Sequence, residues 1–230
     1  MIKAFVCDTR ALTASGAEKM INETPAIAGV ISARSSVRWI ESAAAYILLV
    51  HALRTLGYSE IPTVGKDERG KPCFASRIGE KIGFSISHRP GVALVAIAMG
   101  GECGADIEVE FDPERAARIE ERYLSGIGSI GGGHCECSIT VTRMDEDGNV
   151  SFDVKKLNND YDYLQIEAKS TADTATIKWT LLEAVLKLEG SGVSGRAKFD
   201  DIYADTATAH FELCIGDERY ALTLAEKNNI

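Results

Sequence analysis

The 230-residue sequence contains no apolar run long enough to cross a membrane. Its longest, from Ala43 to Leu53, is broken by His51 and falls well short of the ~20 residues a bilayer requires. The first ten residues, MIKAFVCDTR, lack the basic-then-apolar order of a signal sequence and read as an alternating strand. Proline is scarce, at 5, and no short repeat is present, which excludes collagen-like and solenoid designs. The six cysteines (7, 73, 103, 135, 137 and 214) are scattered through a mid-sized chain rather than set out as a small disulfide framework. Basic charge is short as well. With 25 Lys and Arg against 34 Asp and Glu, the net charge of −9 argues against sequence-independent nucleic-acid binding. A hydrophobic content of 45% with 26% charged residues excludes wholesale disorder and supplies a core for one domain or two small lobes. The expectation is a reduced, cytoplasmic protein that touches neither membrane nor nucleic acid.

The charge that is present is unevenly placed. Residues 1–105 hold 12 Lys and Arg against 9 Asp and Glu, whereas residues 106–230 hold 13 against 25. Such asymmetry can be simple surface solvation. It also suits one lobe that holds anionic phosphates facing another that holds a metal.

Three helices stand out. The first is predicted from Ser35 to about Thr55, capped by Ser35 or Ser36 and ended by Gly57. Val37, Ile40, Ala44, Ile47, Leu48 and His51 recur at helical spacing, so one face is expected to be buried. The second starts at Asp112-Pro113 and runs to about Leu124, and the third covers Thr174 to Leu188 and stops at Gly190. Strands are predicted at Ile2–Cys7, Gly83–Ser87, Val92–Met99, Gly104–Val109, Ala209–Ile215 and Tyr220–Ala225. Cys137–Arg143 and Asn149–Lys155 flank the turn sequence Asp145-Glu146-Asp147-Gly148 and read as a hairpin. Without a steady βα rhythm the class is α+β. The run from Gly126 to Gly133 reads as a flexible connection, since no clear strand precedes it and no helix follows.

Several residues carry chemistry. Asp106 and Glu108 alternate in a strand, so both carboxylates project to one side and can share a hard cation; alternating acids also simply mark a solvated strand face. Glu183 and Lys187 lie one helical turn apart, as an ion pair or as functional groups. Gly70-Lys71-Pro72 is a turn that exposes a lysine, and His88 ends a strand beside Arg89, where it can donate to a phosphate or merely pack. His134-Cys135-Glu136-Cys137 offers soft ligands but no second cluster, and strand alternation favours core packing for its cysteines.

In order, Gly70-Lys71-Pro72-x-Phe74, Phe84-x-Ile86-Ser87-His88, Gly104-x-Asp106-Ile107-Glu108 and Trp179-Thr180-x-x-Glu183-Ala184-x-x-Lys187 resemble the signature of 4′-phosphopantetheinyl transferases. The resemblance is to the two-lobed kind that activates surfactin-type peptide synthetases, and it spans about half the chain. It implies two pseudo-symmetric α/β lobes, residues 1–103 and 104–230, with coenzyme A between them. The implied reaction moves phosphopantetheine onto a serine of an apo acyl or peptidyl carrier protein and releases 3′,5′-ADP. By position, Asp106, Glu108 and Glu183 would hold Mg²⁺. Glu183 would also serve as base, Lys187 would sit on a phosphate, and Arg38, Lys71 and His88 would hold the phosphates of coenzyme A. Both lobes in one chain imply a monomer.

Two departures from that pattern bear on activity. Leu182 stands where the family usually has lysine, and Lys178, one turn earlier on the same helix face, is a candidate replacement. Residues 126–177 form an insertion containing the predicted hairpin, whose Asp145, Glu146 and Asp147 would repel an acidic carrier near the docking surface, so the segment is expected to point elsewhere or to select an unusual partner. The alternative is a catalytically impaired relative that binds coenzyme A or a carrier protein without turnover.

Overall fold

Alternating side chains make β1 (Ile2–Asp8) the centre of the first sheet. The computed structural model describes residues 1–31, 38–75, 82–128, 130, 133–151, 164–167 and 174–228. One edge of β1 pairs antiparallel with β5 (Val92–Met99), which pairs in turn with β4 (Ile82–Arg89). The other edge pairs parallel with β8 (Cys137–Met144), and β8 returns antiparallel as β9 (Val150–Ser151). The strand order is β4-β5-β1-β8-β9. Asp145 builds the β8–β9 turn by accepting from the backbone N–H groups of Asp147 and Asn149 at 3.0 and 2.9 Å. The second strand of this hairpin was expected to reach Lys155, but 152–163 lie outside the described residues.

The second sheet is antiparallel along its path β10 (Leu164–Glu167), β11 (Thr206–Ile215), β12 (Glu218–Lys227), β6 (Cys103–Val109). A short β7 (Gly133–His134) adds parallel to β11. A small hairpin of β2 (Val64–Lys66) and β3 (Pro72–Phe74) stands apart. The helices are α1 (Ala14–Asn22), α2 (Pro25–Ala28), α3 (Trp39–Thr55), α4 (Pro113–Ile119), α5 (Ala175–Glu189) and α6 (Phe199–Ala204). A π-helical turn, Glu120–Leu124, prolongs α4. No described helix is long and apolar enough to cross a membrane.

Strand alternation sorts the apolar residues into layers. Phe5, Cys7, Val95 and Ile97 face α3, whereas Ile2, Ala4, Val6 and Leu94 point the other way, into one cluster with Ala105, Ile107, Leu222 and Leu224 of the second sheet. The outer face of that second sheet carries α5, whose Leu181, Leu182 and Val185 pack with Phe111, Leu124 and Phe199. The order is helix, sheet, sheet, helix. The class is α+β, as the sequence implied.

The helix ends follow local chemistry. Asp112 caps α4 by accepting from the Arg115 N–H at 2.8 Å, with Pro113 next in line. Thr174 caps α5 by accepting from the Ile177 N–H at 3.3 Å, and Gly190 ends it at φ +72°. Thr174→Ala is expected to lower stability by about 1 kcal/mol, read as an earlier midpoint in urea unfolding with unchanged slope.

Of the expectations about α3, one needs correction and one falls outside the described residues. The cap at Ser35 or Ser36 and the buried Val37 lie outside the described residues, and the described helix starts at Trp39. Ile40 is exposed (37%), and burial is not confined to one stripe, because Ala43 through Val50 are all buried. The helix is covered by α1 as well as by β1, β4 and β5, so no solvated face survives over those two turns. Cys135 lies in the core between the sheets, with Cys137 packed against it, as alternation implied.

Candidate active site

The site begins with two close backbone approaches. A Cβ on Gly104 of β6 would collide with the Ala184 carbonyl oxygen of α5, so the absence of a side chain lets helix and strand touch. Gly83 of β4 likewise faces the Gly101 carbonyl with no room for a Cβ. These contacts draw β4, β6 and α5 together where β4 and β6 each form the edge of a sheet.

Odd residues of β6 fill the core between sheets, so Asp106 and Glu108 emerge together on the α5 side, at 1% and 0% exposure. Buried carboxylates require partners. Asp106 Oδ1 accepts from Ser87 Oγ at 2.7 Å and from Lys187 Nζ at 2.7 Å, while Oδ2 is buried without a hydrogen-bond partner. Glu108 Oε1 accepts from the Val109 N–H at 3.0 Å, and Oε2 pairs with Arg89 at 2.7 Å and Arg115 at 2.9 Å. Ser87→Ala removes one of two donors to a buried charge. It is expected to cost about 1–3 kcal/mol, measured by thermal unfolding.

Glu183 and Lys187 share a helix face, yet Lys187 bonds to Asp106 and the Ala105 carbonyl rather than to Glu183. Burial raises the Glu183 pKa, and the nearby Asp106 charge raises it further; Lys187 and Arg89 pull against both. On β4, His88 Nδ1 stands 3.4 Å from Glu41 Oε2 of α3. Burial lowers the His88 pKa against the opposing pull of Glu41, and Lys187 and Arg89 reinforce the lowering.

The remaining phosphate candidates lie apart. Lys71 Nζ bonds to Glu102 at 2.8 Å and to the Leu188 carbonyl at 3.0 Å, and Arg69 bonds to the Glu189 carbonyl at 2.9 Å. The β2–β3 hairpin thus supplies two cations to the carbonyl end of α5, where the helix dipole favours them. Lys71 and Lys187 both line a cavity of about 260 Å³ floored by Phe84, Ser85 and Ile86. Arg38 lines a different cavity, of about 360 Å³, with Arg89, Arg115 and Tyr220 toward the other end of β4.

Among the described residues, no three Asp, Glu, His or Cys side chains gather tightly enough to hold a metal ion as they stand. A fit to Mg²⁺ rests on the orphaned Asp106 Oδ2 and on Glu183, whose charge is left costly by burial beside it. Mg²⁺ characteristically takes one or two protein carboxylates and fills its shell with substrate phosphate and water, so this donor set suits it. Glu108 offers no unpartnered oxygen, because the Val109 N–H holds Oε1 and both arginines hold Oε2.

Leu182 is fully buried in the cluster under α5. Lys178 shares that stripe and lies about 140° around the helix from Glu183. Lys187 and Arg89 are cations that act on Glu183. Arg89, Arg115 and Ser87 were not singled out from sequence as site residues. For Arg89 the signal was its place directly after Ser87-His88, and for Arg115 its place in the first turn after Asp112-Pro113. No protein-family model matches the chain, and no curated protein sequence matches it.

Proposed function

We propose that the protein is a 4′-phosphopantetheinyl transferase that moves phosphopantetheine from coenzyme A to a serine of an apo acyl or peptidyl carrier protein. The observation that carries this reading is the meeting of Asp106, Glu183 and Lys187 across β6 and α5, beside the cavity that Lys71 and Lys187 line. Residues 1–103 and 104–230 are read as its two pseudo-symmetric lobes, with β8 of the 126–177 insertion crossing back to β1. A monomer then contains a whole site, working in the cytoplasm.

Asp106 and Glu183, with Glu108 once freed of its arginines, would hold Mg²⁺, which when bound neutralises the pyrophosphate and its leaving group. Lys187 and Lys71 hold phosphate oxygens, and His88 and Arg38 hold the more distant phosphate of coenzyme A. Glu183 accepts the proton of the carrier serine, for which its raised pKa suits it. The serine oxygen attacks the phosphorus that bears the pantetheine arm. The bond from that phosphorus to the bridging oxygen breaks, and 3′,5′-ADP departs with the electron pair.

The test is intact-mass spectrometry of a panel of apo carrier proteins incubated with the protein, coenzyme A and Mg²⁺. A phosphopantetheine mass gain that is lost in Glu183→Gln supports the transferase. Coenzyme A bound in calorimetry, with no mass gain on any carrier, supports the impaired relative, which the buried Leu182 favours.

A further inference from the structure

The charges at this site largely balance from within. Three buried or half-buried carboxylates, Asp106, Glu108 and Glu183, face three cations, Lys187, Arg89 and Arg115. Arg89 is the pivotal member. It pairs with Glu108 at 2.7 Å, and it also lies within electrostatic reach of Asp106 and Glu183. Its side chain keeps 28% exposure and borders the cavity shared with Arg38, so it has room to turn away from Glu108.

Such a neutral cluster receives a lone ion poorly. A divalent cation entering alone would meet carboxylates held by Arg89, Arg115 and Lys187, and would have to displace those cations from their buried partners. An anion entering alone would draw Arg89 and Lys187 away, leaving buried Glu108 with Arg115 as its one cation and buried Asp106 with only the Ser87 hydroxyl. A cation and an anion arriving together avoid both penalties, because the partners can simply be exchanged. Asp106 Oδ2 is the one buried carboxylate oxygen among the described residues that has no hydrogen-bond partner, and it marks where the cation enters.

We infer that Arg89 is an internal counter-ion that is traded from Glu108 to the pyrophosphate, so that metal and coenzyme A bind as a cooperative pair. This deepens the transferase reading and rests on it. Arg89 is here a positioning residue: it guards the carboxylates until a phosphate replaces them as its partner. The coupling is reciprocal, so coenzyme A strengthens metal binding by the same factor as metal strengthens coenzyme A binding.

Isothermal titration calorimetry without any carrier protein reads this directly, with Mg²⁺ and coenzyme A as the probes, each alone and in the presence of the other. The wild-type protein is expected to bind each at least tenfold more tightly when the other is present. Arg89→Met is expected to bind Mg²⁺ alone about tenfold more tightly than wild type, to bind coenzyme A less tightly, and to lose most of the coupling. Glu108→Gln frees the arginine instead, and is expected to bind coenzyme A alone about tenfold more tightly, which keeps the test open if Arg89→Met fails to fold. A coupling factor near one in the wild type, or variants that leave both affinities unchanged, overturns the exchange while leaving the transferase reading intact. A wild-type protein that binds neither probe, alone or together, overturns both.

Discussion

Glu183→Gln is expected to lower phosphopantetheine transfer by about 10²–10⁴-fold, the contribution of a positioned general base. The same change should leave the fold standing. Burial and the Asp106 charge raise the Glu183 pKa above its ordinary value of 4.5, so the folded protein keeps that proton to higher pH than the unfolded chain. Stability then falls as pH rises from the ordinary glutamate range through the raised value. Glutamine has no such charge. Melting curves of the two proteins should coincide in acid, where Glu183 is protonated in both states, and separate above it with the variant equal or more stable. Loss of transfer alongside a preserved melting temperature at neutral pH identifies a chemical role. A variant that melts well below wild type at neutral pH would mean that the carboxylate stabilises the fold, and the base assignment would fall with it.

Gly104→Ala is expected to have the largest effect on stability. The added methyl group falls on the Ala184 carbonyl and the Leu188 amide of α5, both backbone atoms that cannot rotate away. Overpacking of this kind costs about 1–3 kcal/mol and sometimes more. For a chain of this size that lowers the melting temperature by roughly 2–4 °C per kcal/mol. Activity should fall further than stability explains, because α5 can relieve the clash only by moving off β6. That motion separates Glu183 and Lys187 from Asp106, and Lys187 Nζ would leave its 2.7 Å contact. Differential scanning calorimetry paired with the transfer assay distinguishes this from local damage. A melting temperature within a degree of wild type would show that the helix has room the close approach denies.

Local chemistry made much of this architecture readable. Thr174 and Gly190 delimit α5, and Asp112-Pro113 starts α4, through side-chain and φ preferences that act within a few residues. Strict alternation placed Asp106 and Glu108 on one side of β6. What alternation cannot reveal is which groups arrive from elsewhere to meet them. Arg89 and Arg115 reach Glu108 from two other elements, and their places after Ser87-His88 and Asp112-Pro113 mark them without naming Glu108 as the partner they share. Helix α1 escaped notice because it has only nine residues and includes Gly16, although Ala14, Ala17, Met20 and Ile21 share one apolar face; Thr13, which caps it and bonds to Glu146 of the hairpin turn, gives it a tertiary anchor. The all-round burial of α3 was equally hidden, since its cover comes from strands on both sides of it in sequence. The parallel pairing of β1 with β8 joins residues more than a hundred positions apart.

That pairing sets a timetable for the emerging polypeptide. Synthesis delivers β1 first, β5 by Met99 and β8 only by Met144, so while residues 100–144 are being made β1 has one satisfied edge, toward β5, and one bare edge. Until β8 arrives, the bare edge is a template for any other extended chain nearby. Residues 1–125 released as a fragment would keep that edge permanently, and are expected to self-associate in sedimentation experiments where the full chain does not. The hairpin segment therefore closes the first sheet, and a nascent chain becomes safe from its neighbours only once that segment has cleared the ribosome.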